Sequence, residues 1–91
     1  MRLEDKSGTV LKTGTAQILL EKNDLRKGFF IQNLSPSHSI WINDLGPASS
    51  GLGSIRIDPG HMHSTLQYYP VAKGEVSILG NQGVQFTCKE W

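Results

Sequence analysis

Glycine and proline interrupt this chain so often that a long helix has no room to form. Ten glycines and four prolines are spread over 91 residues, and the longest interval free of both runs from residue 15 to 27. Glycine weakens either regular structure and proline removes a backbone donor, so segments bounded at this spacing read as short strands joined by turns. Leu, Glu, Gln and Lys give residues 17–27 the propensity for about two or three helical turns. Two features favour a strand instead. Ala16, Ile18 and Leu20 alternate with Gln17, Leu19 and Glu21, and Asn23-Asp24-Leu25-Arg26-Lys27 is a polar turn.

Runs of β-branched and aromatic residues place further strands at 29–33, 39–43, 54–57, 61–66, 75–79 and 84–89. About seven short strands at this spacing predict an all-β fold, a single antiparallel β-sandwich of jelly-roll or immunoglobulin-like type. Two cores of half this length would each bury too little, so residues 14–91 form one domain, preceded by a flexible N-terminal arm over 1–13. Asp58-Pro59-Gly60 is a turn with a mechanism, because proline presets its φ and glycine accepts positive φ. Two hairpins follow from proximity in sequence: 29–33 with 39–43, and 75–79 with 84–89 across Gly80-Asn81-Gln82-Gly83.

Alternation assigns a core of Ile18, Leu20, Phe29, Ile31, Ile40, Ile42, Ile55, Ile57, Val76, Ile78, Val84, Phe86 and Cys88. In the first hairpin it sets Ile31 opposite Ile40 and Phe29 opposite Ile42. Phe30 then faces Trp41 on the outside, and Trp91 points outward with Gln85, Thr87 and Lys89. Scattered surface apolars are ordinary, but three large aromatics outside the core favour a subunit or particle interface. Residues 44–53, with three glycines and a proline, form a mobile or partner-ordered loop that carries Leu45 and Leu52. Phe30, Trp41, Trp91, Leu45 and Leu52 are therefore the candidate partner-binding residues.

Chemistry finds little purchase. Nine basic against eight acidic residues give a net charge of +1, too weak a field to gather nucleic acid or an anionic membrane. No apolar run of signal-peptide or membrane-spanning length occurs. Cys88, the lone cysteine, excludes an internal disulfide and reads as a small buried hydrophobe. His61-Met62-His63 could chelate a divalent ion only if a third ligand such as His38 or Asp58 converged, so two histidines beside a turn is the better reading and no metal is assigned. Gly51-Leu52-Gly53 precedes a strand, which is the wrong order for a dinucleotide loop. The carboxylates form no acid/base pair. The residues therefore point to a protein that is not an enzyme and has no cofactor.

One resemblance is visible. Gly14-Thr15-Ala16-Gln17-Ile18-Leu19-Leu20, then Arg26-Lys27-Gly28-Phe29-Phe30-Ile31-Gln32-Asn33, Ile40-Trp41-Ile42-Asn43, a Gly/Ser-rich loop, Asp58-Pro59-Gly60, Gly74-Glu75-Val76-Ser77-Ile78-Leu79-Gly80 and Gln85-Phe86-Thr87 follow one another. This layout resembles small β-sandwich virion proteins of tailed bacteriophages, several of which cement or decorate capsids, often as trimers. The resemblance implies a virion structural protein assembled in the host cytoplasm, a homotrimer whose partner is the major capsid protein or another virion protein, with no nucleic acid or membrane bound. The other reading is a carbohydrate- or receptor-binding module that stacks ligands on Trp41, Tyr68 and Tyr69, or a β module associated with the tail, neck or fibre of the virion.

Overall fold

The computed structural model describes residues 3–65 and 71–91. Their strands are β1 (Glu4–Asp5), β2 (Gly8–Thr9), β3 (Gln17–Leu20), β4 (Phe29–Asn33), β5 (Ile40–Asn43), β6 (Ile55–Ile57), β7 (Met62–Ser64), β8 (Val76–Leu79) and β9 (Gln85–Glu90). They form two sheets with every pairing antiparallel. Sheet A runs β1-β9-β4-β7 with β2 also on β9, and sheet B runs β3-β8-β5-β6.

β1 and β2 are one interrupted strand. Glu4↔Glu90, Asp5↔Lys89, Gly8↔Phe86 and Thr9↔Gln85 keep a single register along β9. The ladder breaks between them because Ser7 intrudes: its Oγ accepts from the Cys88 N–H at 3.0 Å, while the Lys6 N–H still donates to the Cys88 carbonyl at 2.7 Å. Counted as one strand, β1/β2 pairs with β9, β3 with β8, β4 with β7 and β5 with β6. This is one long hairpin, tipped by residues 44–54 and rolled into two sheets, the jelly-roll connectivity. Every connection except β5–β6 crosses from one sheet to the other.

Both predicted hairpins are therefore wrong, although their strands exist. β4 pairs with β9 and β7, and β5 with β6 and β8, so Ile31 lies opposite Cys88 and His63, and Ile42 opposite Ile55 and Ile78. β8 and β9 likewise belong to different sheets. Alternation fixes which face a side chain takes but not which strand stands beside it, and a short connection serves an arch between sheets as well as a hairpin. Residues 34–38 are held as an arch by side chains. Asn33 Oδ1 accepts from the Ser35 N–H (2.9 Å), Asn33 Nδ2 donates to the His38 carbonyl (2.7 Å), and Ser35 Oγ accepts from the Ser37 and His38 N–H groups.

The core lies between the sheets: Val10, Leu19, Leu20, Phe29, Ile31, Ile40, Ile42, Ile57, Val76, Ile78, Val84, Phe86 and Cys88, with Ile55 packed against it. Ile18, predicted inside, is 51% exposed, and Leu19 takes its place. The reason is a bulge. Ile18 pairs with Ser77 but Leu20 pairs with Val76, so Leu19 is an extra residue and the alternation is reset there. The turn at 58–61 forms as predicted: the His61 N–H donates to the Asp58 carbonyl (2.9 Å) and Gly60 sits at φ +77.

Candidate functional site

The outward side chains of sheet B follow from its register. Arg56, Trp41 and Leu79 stand in one row, and Asn43, Ser77 and Ile18 in the next. The 44–53 loop folds against this face. Ser77 Oγ donates to the Gly46 carbonyl (2.9 Å) and accepts from the Ala48 N–H (2.6 Å), and Asn43 Nδ2 donates to the Pro47 carbonyl (3.2 Å). Ala48 is buried beneath these contacts. On either side of it Leu45 is 89% exposed and Leu52 fully so. A cavity of about 220 Å³ between loop and edge strand is lined by Ala16, Ile18, Gly46 and Pro47. The loop is thus pinned at its middle, with Gly46 and Pro47 across the cavity from the exposed Ile18, and its two leucines protrude into solvent.

Sheet A differs. Its outward rows are Ser64, Phe30, Lys89, Asp5 and Met62, Gln32, Thr87, polar apart from Phe30 and Met62. Phe30 and Trp41, expected to face one another, lie on outer faces of opposite sheets, each half-buried. Trp91 continues the β9 alternation on the side of Lys89. Its backbone exchanges hydrogen bonds with Gly28, and its ring covers that glycine so closely that a Cβ there would come within 2.7 Å. Gly28 is thus fixed by close approach. The candidate residues consequently divide into Trp41, Leu45 and Leu52 on the sheet B side and Phe30 and Trp91 on the sheet A side. Tyr68 and Tyr69 lie outside the described residues.

The histidines separate. His63 lies opposite Ile31, with its ring 6.2 Å from that of Phe29, and burial lowers its pKa. His61 is exposed on the turn before β7, and His38 is exposed on the arch beside Ser37. Among the described residues no group of three or more His, Cys, Asp or Glu is placed to hold a metal. None of their helices is long and apolar enough to cross a membrane. Burial, with the Glu90 charge behind it, pushes the Cys88 thiol up to about 12. Only about one thiol in ten thousand is then ionised at pH 8, so the folded protein is expected to resist iodoacetamide and to be labelled only in denaturant. Labelling of the native protein at the rate of a free thiol would overturn that burial.

Sequence reasoning missed two polar residues that organise this architecture, Asn33 and Arg26, both essentially inaccessible to solvent. Asn33 Nδ2 also donates to the Ile57 carbonyl (3.0 Å), so one side chain ties the 34–38 arch to the end of β6. The Arg26 guanidinium donates to Glu90 Oε1 (2.8 Å) and to the carbonyls of Ala72, Gly74 and Glu21. A buried Asn or Arg has no periodicity to betray it, and Ile57, which Asn33 holds, and Ala72, Gly74 and Glu90, which Arg26 holds, lie far away in sequence.

No family model matches the chain, and no curated protein does. One solved structure of similar shape comes from Bacillus endospore appendages, described as a novel family of disulfide-linked pili, at 13% identity and a TM-score of 0.46, covering 98% of this chain and 83% of that one. A likeness at that level assigns neither family nor function.

Proposed function

We propose that the protein is a non-enzymatic structural module that associates with copies of itself within a larger assembly. The observation that carries this reading is the sheet B surface. Leu45 and Leu52 protrude from a loop that Ser77 holds against this sheet, whose outer face also carries exposed Ile18 and half-buried Trp41. Exposed leucines on a fixed loop suit a partner better than solvent. The division of the candidate residues between two faces fits a head-to-tail contact, in which each protomer offers one surface and accepts another. Such contacts close into rings when the rotation permits, a trimer among them. In its finer form the proposal is a homotrimeric cement protein of a tailed-phage capsid, with the major capsid protein as partner. That form is supported by the sequence resemblance alone.

The test is light scattering of the purified 10.0 kDa chain, followed by co-sedimentation with particles. The expected result is a mass near three protomers, reduced to one by Leu45→Asp with Leu52→Asp while the far-UV circular dichroism of the folded chain stays unchanged. A strict monomer at every concentration would refute self-association. A trimer that never pelleted with capsids would refute only the cement role.

A further inference from the structure

At one end of the sandwich three connections meet: the 10–16 link through Thr13, the 34–38 arch and the 80–84 arch. They enclose an open groove of about 420 Å³, within the size range of small-ligand sites. Its lining contains no Asp, Glu, Lys or Arg. It does contain the side chains of Asn81, Gln82 and Gln85, and none of these three amides is taken up by a hydrogen bond among the described residues. Leu34, 49% exposed, and Pro36 add an apolar surface.

The walls are held in place. Asn33 and Ser35 fix the arch at 34–38 through the bonds described above. On the other side the Gln82 N–H donates to Thr13 Oγ1 (2.8 Å), the Gly83 N–H to the Val10 carbonyl (2.9 Å), and the Val84 N–H to the Asn81 carbonyl (3.1 Å). The Leu34 N–H donates to the Gln85 carbonyl (3.1 Å) and so joins the two walls. A ligand entering here therefore orders little new chain, which removes a principal cost of binding.

We propose that this groove binds a neutral oligosaccharide. A primary amide offers donors and an acceptor side by side, the array that adjacent sugar hydroxyls satisfy. Apart from His38 the lining carries no titratable side chain, so an ionic ligand finds no carboxylate, ammonium or guanidinium as counter-charge, and the Leu34 and Pro36 surface can take the C–H face of a pyranose ring. The groove uses none of the residues invoked for self-association and does not depend on that reading.

The experiment is an amide-resolved NMR titration of the full chain with neutral hexasaccharides, namely α- and β-glucans, mannan, galactan and chitin fragments, each to about 10 mM, where weak sites saturate. At least one is expected to shift the backbone and side-chain amide signals of residues 13, 34–38 and 81–85. Asn81→Ala with Gln85→Ala should weaken that response about tenfold at unchanged melting temperature. Silence with the whole panel, shifts centred on Trp41, or an unaltered response in the double variant would each overturn the proposal. So would an uncharged Ser/Thr/Gly decapeptide that perturbs these residues when no saccharide does.

Discussion

Replacing Arg26 by alanine is expected to cost about 3–5 kcal/mol, the loss typical of breaking a buried ion pair by removing one partner. Arg26 is 1% exposed and Glu90 4%. The guanidinium gathers three backbone carbonyls and one carboxylate, and it lies 6.0 Å from the centre of the Phe29 ring. Without it, Glu90 keeps, among the described residues, only a 3.4 Å contact from Asn23 Nδ2 and a 3.9 Å approach by Lys6, while the carbonyls of Glu21, Ala72 and Gly74 lose their side-chain donor. Domains of this size are stable by only about 5–15 kcal/mol, so the variant should be marginal. Arg26→Lys should recover little, because an ammonium lacks the fork that reaches several acceptors in one plane. Arg26→Met combined with Glu90→Met removes both charges and should lie much closer to the wild type. Denaturant melts of the four proteins decide the matter. An alanine variant within about 0.5 kcal/mol of wild type would show that the cluster contributes nothing.

The second large effect belongs to Asn33→Leu, a near match in volume that removes every polar atom from the side chain. It takes the side-chain donor from the carbonyls of His38 and Ile57 and the acceptor from the N–H of Ser35. At about 1–3 kcal/mol for each buried group left without a partner, a total near 3 kcal/mol is expected even if one of them reaches water. Equilibrium unfolding should show this loss with an unchanged m value. Hydrogen exchange should also show faster exchange at Ser35, Ser37 and His38 than at Ile31 or Cys88. Uniform loss of protection would mean that Asn33 supports the whole core rather than the arch.

These two residues also show what the sequence reveals. Phe29, Ile31, Ile40, Ile42, Val76, Ile78, Phe86 and Cys88 are all buried as their alternation predicts, because a strand with one face on a core must repeat every second residue. Partner choice leaves no such mark. Arg26 reads as part of a polar turn, and nothing near it indicates that Glu90, 64 residues on, will neutralise it. Ile18 fails for a local reason, since a bulge is one added residue and looks like any other in the sequence. Among the candidate contact residues, the exposure of Leu45 and Leu52 was legible in a Gly/Ser-rich loop. The separation of Phe30 from Trp41 was not, because it depends on the arch at 34–38 crossing between sheets.

The nested pairing of the strands also bears on synthesis. β9 stands inside sheet A, with β1/β2 on one side and β4 on the other, so until it has left the ribosome those strands have no shared neighbour. Sheet B, whose last strand is β8, can form earlier. In the interval between emergence of β8 and of β9, which five residues separate, one sheet can be complete while the apolar faces of Phe29 and Ile31 have no complete sheet around them. A chaperone that recognises exposed apolar segments would have its opportunity at that stage, and arrival of the Phe86-to-Glu90 stretch would end it.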